Sequence, residues 1–115
     1  MRNFKDLFVW QKSIELVVLT YKITKEFPQE EKYGLAVQMR RAAISIPSNI
    51  AEGHMRRTIK DFKQFLTIAR GSCAELETQT IIASNLTYIT HEVYQLSVSK
   101  IEEVSKMLAS LSAKL

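Results

Sequence analysis

The chain has 115 residues, 46% hydrophobic and 24% charged, with three glycines, two prolines and one cysteine. That is one domain, 1–115, able to bury a core without staples; a single cysteine excludes an intrachain disulfide and a zinc site of paired cysteines. The net charge of +4 is polarised, with thirteen Lys/Arg against seven Asp/Glu in residues 1–71 and three against five in residues 72–115, a pattern open to an acidic partner such as RNA or to an ordinary solvated surface.

So few chain breakers predict long helices and exclude a sandwich or barrel. The first helix is expected from Asp6 to Phe27, with Leu7, Trp10, Ile14, Val17 and Tyr21 at alternating spacings of three and four and Val18, Leu19 and Ile23 beside them. Pro28 ends it, because the residue before a proline is pushed out of the α region. The second helix is expected to open at Pro28-Gln29-Glu30-Glu31, where proline and acids suit a first turn. Its seam is Leu35, Met39, Ala42, Ile46 and Ile50, with a kink expected at Pro47 and an end near Gly53 or Met55.

The third helix begins after Thr58, where Thr58-Ile59-Lys60-Asp61 resembles a capping box. Ile59, Phe62, Leu66, Ala69, Cys73, Leu76, Thr80 and Ala83 form its seam. Gly71, among the small residues Ala69, Ser72, Cys73 and Ala74, implies close approach of another helix. The fourth helix starts after Thr90, with Ile101, Val104, Leu108, Leu111 and Leu115 as its seam. Short connections between long helices predict an all-α, antiparallel up-down-up-down four-helix bundle. Such a bundle is slim, and it exposes apolar surface unless it self-associates.

The most apolar stretch, Ile14 to Leu19, contains Glu15 and is too short to span a bilayer. No apolar signal region follows Met1, so a cytoplasmic location is expected. The Glu-x-x-His metal pattern fails at both histidines, since Ala51 precedes His54 and Tyr88 precedes His91 by three. Cys73 sits on an apolar seam without a nearby histidine, and no glycine-rich phosphate loop exists, so neither an enzyme nor a bound cofactor or metal is expected.

Three constellations remain. Ser45, Ser48 and Asn49 flank Pro47, either satisfying the carbonyls the proline frees or meeting a partner subunit. Arg40 and Arg41 fall level with Ala74 and Cys73 in a hairpin of the second and third helices, a turn or less from Glu75 and Glu77, so a structural ion pair is expected. Arg56, Arg57, Lys60 and Lys63 cluster at the turn between those helices. They are the residues expected to contact RNA phosphates, with Arg2 and Lys5 next; a solvated surface is the competing reading. Phe62 and Phe65 lie at core spacing and belong to packing.

The segment Gln38-Met39-Arg40-Arg41-Ala42-Ala43-Ile44-Ser45-Ile46-Pro47-Ser48-Asn49-Ile50-Ala51-Glu52-Gly53 resembles a bacterial family of four-helix bundle proteins. Their genes lie in intervening sequences of 23S ribosomal RNA. Phe65-Leu66-Thr67-Ile68-Ala69-Arg70-Gly71-Ser72-Cys73-Ala74-Glu75-Leu76-Glu77 and Phe4-Lys5-Asp6-Leu7-Phe8-Val9-Trp10-Gln11 are similar to the same family. Cys73 and Met55 stand where other apolar or aromatic residues are more usual. The resemblance implies a homopentameric, barrel-like assembly; it does not imply a catalytic activity. A relative, the accessory variability determinant of diversity-generating retroelements, supplies a precedent for binding RNA or a reverse-transcriptase-like protein. A protein-interaction module without a nucleic-acid role is the alternative.

Overall fold

A computed structural model describes residues 3–115, within which all regular structure is helical. A short 3-10 turn, Phe4–Asp6, leads into α1 (Phe8–Lys25); a second, Gln29–Glu31, precedes α2 (Leu35–His54); α3 (Ile59–Asn85) and α4 (His91–Lys114) complete an elongated body of 43 × 24 × 19 Å.

The last two helices begin where their caps predict. Thr58 Oγ1 accepts from Asp61 N and Thr90 Oγ1 accepts from Val93 N, each satisfying a first-turn donor that the helix leaves free. The first two differ from expectation at their edges. Asn3 caps the 3-10 turn through Lys5 N, and Leu7 breaks to an extended conformation before α1. Pro28 opens only a single 3-10 turn. α2 waits for Leu35 because Glu31 Oε1 accepts Leu35 N at 3.1 Å. Gly34 makes room for that carboxylate, since a Cβ there would stand 2.7 Å from Glu31 Oε1.

α2 passes through Pro47 without ending. Asn49 Nδ2 donates to the Ser45 carbonyl at 2.7 Å and to Ser45 Oγ at 2.9 Å, so the side chain beside the proline serves the backbone there. Ser45 Oγ meets Ser72 Oγ of α3 at 2.8 Å. Further along, Gly53 lies so close to α3 that a Cβ would stand 2.6 Å from Phe65 Cβ. This pair of helices has the most extensive contact in the molecule.

The core follows the expected seams on α2, α3 and α4: Met39, Ala42, Ile46 and Ile50; Phe62, Leu66, Ala69, Cys73 and Leu76; Ile101, Val104 and Leu108 are all buried. Ile59, expected to start the α3 seam, is exposed. On α1 the buried stripe is rotated. Val9, Ser13, Leu16, Thr20 and Thr24 face inward, while Trp10, Ile14, Val17 and Tyr21 lie on the flank. The reason is steric. Ser13, Thr20 and Thr24 donate to the carbonyls of Trp10, Leu16 and Thr20 on their own helix. With their hydroxyls satisfied, these small side chains can be buried and let α1 approach closely.

Candidate nucleic-acid interface

The chain places Lys5, Arg56, Arg57, Lys60 and Lys63 around one end of the bundle. Phe4 and Trp10 share a groove with Ala51 near the end of α2, and Leu7–Val9 share another with Leu111 and Lys114 at the end of α4. The start of α1, the end of α2, the start of α3 and the end of α4 therefore meet.

Met55, Arg56 and Arg57 form the exposed turn there, and Lys60 and Lys63 follow, exposed, in the first turns of α3. The turn is tight because Arg56 N donates to Gly53 O at 3.1 Å. Arg56 reaches back to Glu52 Oε1 at 3.0 Å and lays its guanidinium 4.8 Å from the centre of the Phe65 ring. Phe65 is thus half-buried packing that also steers a cation. Arg57, Lys60 and Lys63 form no salt bridge among the described residues. They surround the positive N-terminal end of α3, so their field and the helix dipole act together on an anion. Lys5 is exposed on the 3-10 turn, held by Asn3 and by Gln11 Nε2, which donates to its carbonyl at 2.9 Å. Arg2 lies outside the described residues. Glu52, Asp61 and, beside Lys5, the exposed Asp6 are the interleaved carboxylates.

Sequence reasoning missed Lys114, which is exposed at this same end. Its position in the last turn of the fourth helix was the available signal, since an up-and-down topology returns that turn to the start of the first helix.

The expected ion pair is corrected. Among the described residues the salt bridges are Lys12–Glu15 and Arg56–Glu52, and neither Arg40 nor Arg41 joins Glu75 or Glu77. Arg40 stands on the flank of α2 that faces α1. Its Nε donates to Thr24 Oγ1 at 2.8 Å, and its guanidinium lies 4.5 Å from the Tyr21 ring centre. Arg41 and Glu75 are exposed, and Glu77 lines an open groove between α3 and α4 with Arg70, Glu102 and Lys106. The polar side-chain link between α2 and α3 is instead the Ser45–Ser72 hydroxyl pair.

The close helix approach expected at Gly71 is also absent within the chain, where nothing lies within 4 Å of a Cβ built there. Cys73 is 1% exposed, and burial pushes its thiol up to about 12. No group of three or more His, Cys, Asp or Glu could hold a metal ion among the described residues. No described helix is long and apolar enough to cross a membrane. Between α1 and α2 an open groove of about 320 Å³ is lined by Trp10, Ile14, Val17, Ile44, Pro47 and Ala51, and Ile14, Val18, Tyr21 and Ile44 are exposed around it.

A family model described as 23S rRNA-intervening sequence protein matches residues 5–110. The chain belongs to the 23S rRNA-intervening sequence protein family. A solved structure from Bacteroides thetaiotaomicron, described as a protein of unknown function from the S23 ribosomal protein family, is similar over 90% of this chain and 97% of its own. It shares 28% identity with a TM-score of 0.84. No curated protein matches the chain. The chain thus shares its four-helix all-α fold with this neighbour.

Proposed function

We propose that this intervening-sequence protein is a non-enzymatic, self-associating helical scaffold of the cytoplasm that binds RNA or a ribonucleoprotein through its basic end. The observation that carries the reading is the gathering of Lys5, Arg56, Arg57, Lys60 and Lys114 where four helix ends meet, with Lys63 one turn on. Phosphate contacts by such cations supply sequence-independent affinity. The apolar groove between α1 and α2 supports assembly, because a flank of this kind is covered in a stable oligomer. The homopentamer implied by the resemblance would present five copies of the basic end, so modest single contacts would add through multivalency.

The test is binding of nuclease-treated protein to structured RNA across a salt series, with light scattering on the same sample. A pentamer-sized particle whose RNA affinity falls linearly on a log–log salt plot supports the scaffold. Replacing Arg56, Arg57, Lys60 and Lys63 together with glutamine should abolish RNA retention and leave the oligomer intact. An oligomer indifferent to RNA that carries a co-purifying acidic protein would favour a protein-interaction module instead.

A further inference from the structure

At the opposite end of the bundle, the end of α1, the following connection and the start of α2 enclose a cleft of about 350 Å³. Lys25, Lys32 and Arg40 line it, and no carboxylate does. None of the three forms a salt bridge among the described residues. Glu26, Glu30 and Glu31 of the same connection lie outside that lining, and Glu31 is engaged by Leu35 N and the Tyr88 hydroxyl.

Arg40 is held in place before any ligand arrives. Its Nε donates to Thr24 Oγ1 at 2.8 Å, an Nη donates to the Tyr21 carbonyl at 3.4 Å, and the guanidinium lies 4.5 Å from the Tyr21 ring centre. Thr24 is itself fixed, since its hydroxyl donates to Thr20 O at 2.8 Å and so offers Arg40 a lone pair. A guanidinium already ordered loses little freedom on binding, and its remaining N–H groups suit phosphate oxygens. Phe27 and Pro28 form an apolar wall of the same cleft, with Phe27 steadied against Tyr88 at 5.4 Å between ring centres.

We propose that this cleft binds a phosphate monoester, with Arg40, Lys25 and Lys32 on the phosphate and Phe27 and Pro28 against the attached carbon skeleton. Three lining cations, none of them in a salt bridge, suit a group that carries nearly two negative charges at neutral pH. The volume lies near the lower bound for small-molecule sites, so it takes a terminal phosphate and its immediate substituent and no duplex. Two sources share this chemistry: a free mononucleotide, or the 5′-phosphate end of a strand. The cleft is separate from the basic end, and its occupancy does not rest on the scaffold reading.

Calorimetric titration of the full chain with AMP, adenosine, and one RNA tetranucleotide bearing either a 5′-phosphate or a 5′-hydroxyl tests it. AMP is expected to bind at least tenfold more tightly than adenosine. Lys32→Gln should weaken AMP at least tenfold; this side chain is exposed and lies over the Tyr33 ring, so the fold should survive. Arg40→Lys should do the same, while Arg56→Gln with Arg57→Gln should leave AMP unaffected. A phosphorylated strand that outbinds AMP assigns the strand end, and AMP binding without strand binding assigns the free nucleotide. Equal affinity for AMP and adenosine, unchanged binding in the Lys32 and Arg40 variants, or loss in the Arg56/Arg57 variant would overturn the site.

Discussion

Tyr88 donates its hydroxyl proton to Glu31 Oε2 at 2.8 Å, joining the α3–α4 connection to the α1–α2 connection across 57 positions. The other oxygen of the same carboxylate accepts Leu35 N and caps α2. These two bonds, the backbone one first, hold the Glu31 carboxyl below its usual value, while the same Glu31 bond raises the Tyr88 phenol.

The pH dependence follows from those directions. Because the folded Glu31 is the stronger acid, its contribution is present above the ordinary glutamate value of about 4.3 and is lost as pH falls through its lowered folded value. Because the folded Tyr88 is the weaker acid, its contribution is present below about pH 10 and is lost as pH rises through its raised folded value. Urea melts across pH should show Glu31→Gln less stable than the parent at pH 7, with a smaller loss on acidification. Tyr88→Phe should remove part of the alkaline loss.

Thr87 sits at φ 61° immediately after α3, a left-handed conformation that favours glycine. Tyr88 N closes on Ala83 O at 2.9 Å and Thr87 N on Ser84 O at 3.0 Å, the pattern of a helix stop that usually carries glycine. Thr87→Gly is therefore expected to stabilise the fold by about 1 kcal/mol, read as a rise of roughly 4 °C in Tm by circular dichroism.

Gly53 and Gly71 should respond oppositely to alanine. A Cβ at Gly53 would stand 2.6 Å from Phe65 Cβ and 3.1 Å from Phe62 Cδ1, so Gly53→Ala forces α2 and α3 apart and should cost about 1–3 kcal/mol. Gly71 has open space around it within the chain, and Gly71→Ala should gain about 1 kcal/mol of helix stability. Chemical denaturation of both variants checks the pair. Light scattering on Gly71→Ala adds a second reading, since loss of assembly would locate a neighbouring subunit at that glycine.

Cys73 should be inert in the native protein. Its raised thiol keeps the thiolate scarce, and its burial denies access. Iodoacetamide at pH 8 should leave the folded chain unlabelled and should modify it fully in guanidinium.

The seams of α2, α3 and α4 were legible because bulky apolar residues recur there at helical spacing, and Thr58 and Thr90 announce two helix starts directly. α1 misled because its large apolar residues lie on the flank. Its buried face carries Ser13, Thr20 and Thr24, whose hydroxyls bond to their own helix. Periodicity weighs hydrophobicity and does not see that a satisfied hydroxyl is cheap to bury. The basic turn from Arg56 to Lys63 was visible as a run of charge, whereas Lys114 joins it only through topology. The Arg40 error came from register alone: spacing placed it level with α3, but its flank of α2 looks toward α1.

The hydroxyl-lined face of α1 has a consequence for local stability. Each buried hydroxyl donates its proton within α1, so those groups tie the helix to the body only where Thr24 accepts from Arg40. Shape and dispersion supply much of the rest. α2 and α3, with their broad contact and shared serine pair, form the last unit to open. Hydrogen exchange should therefore release α1 amides first, at a free energy below that of global unfolding, leaving a protected α2–α3 hairpin.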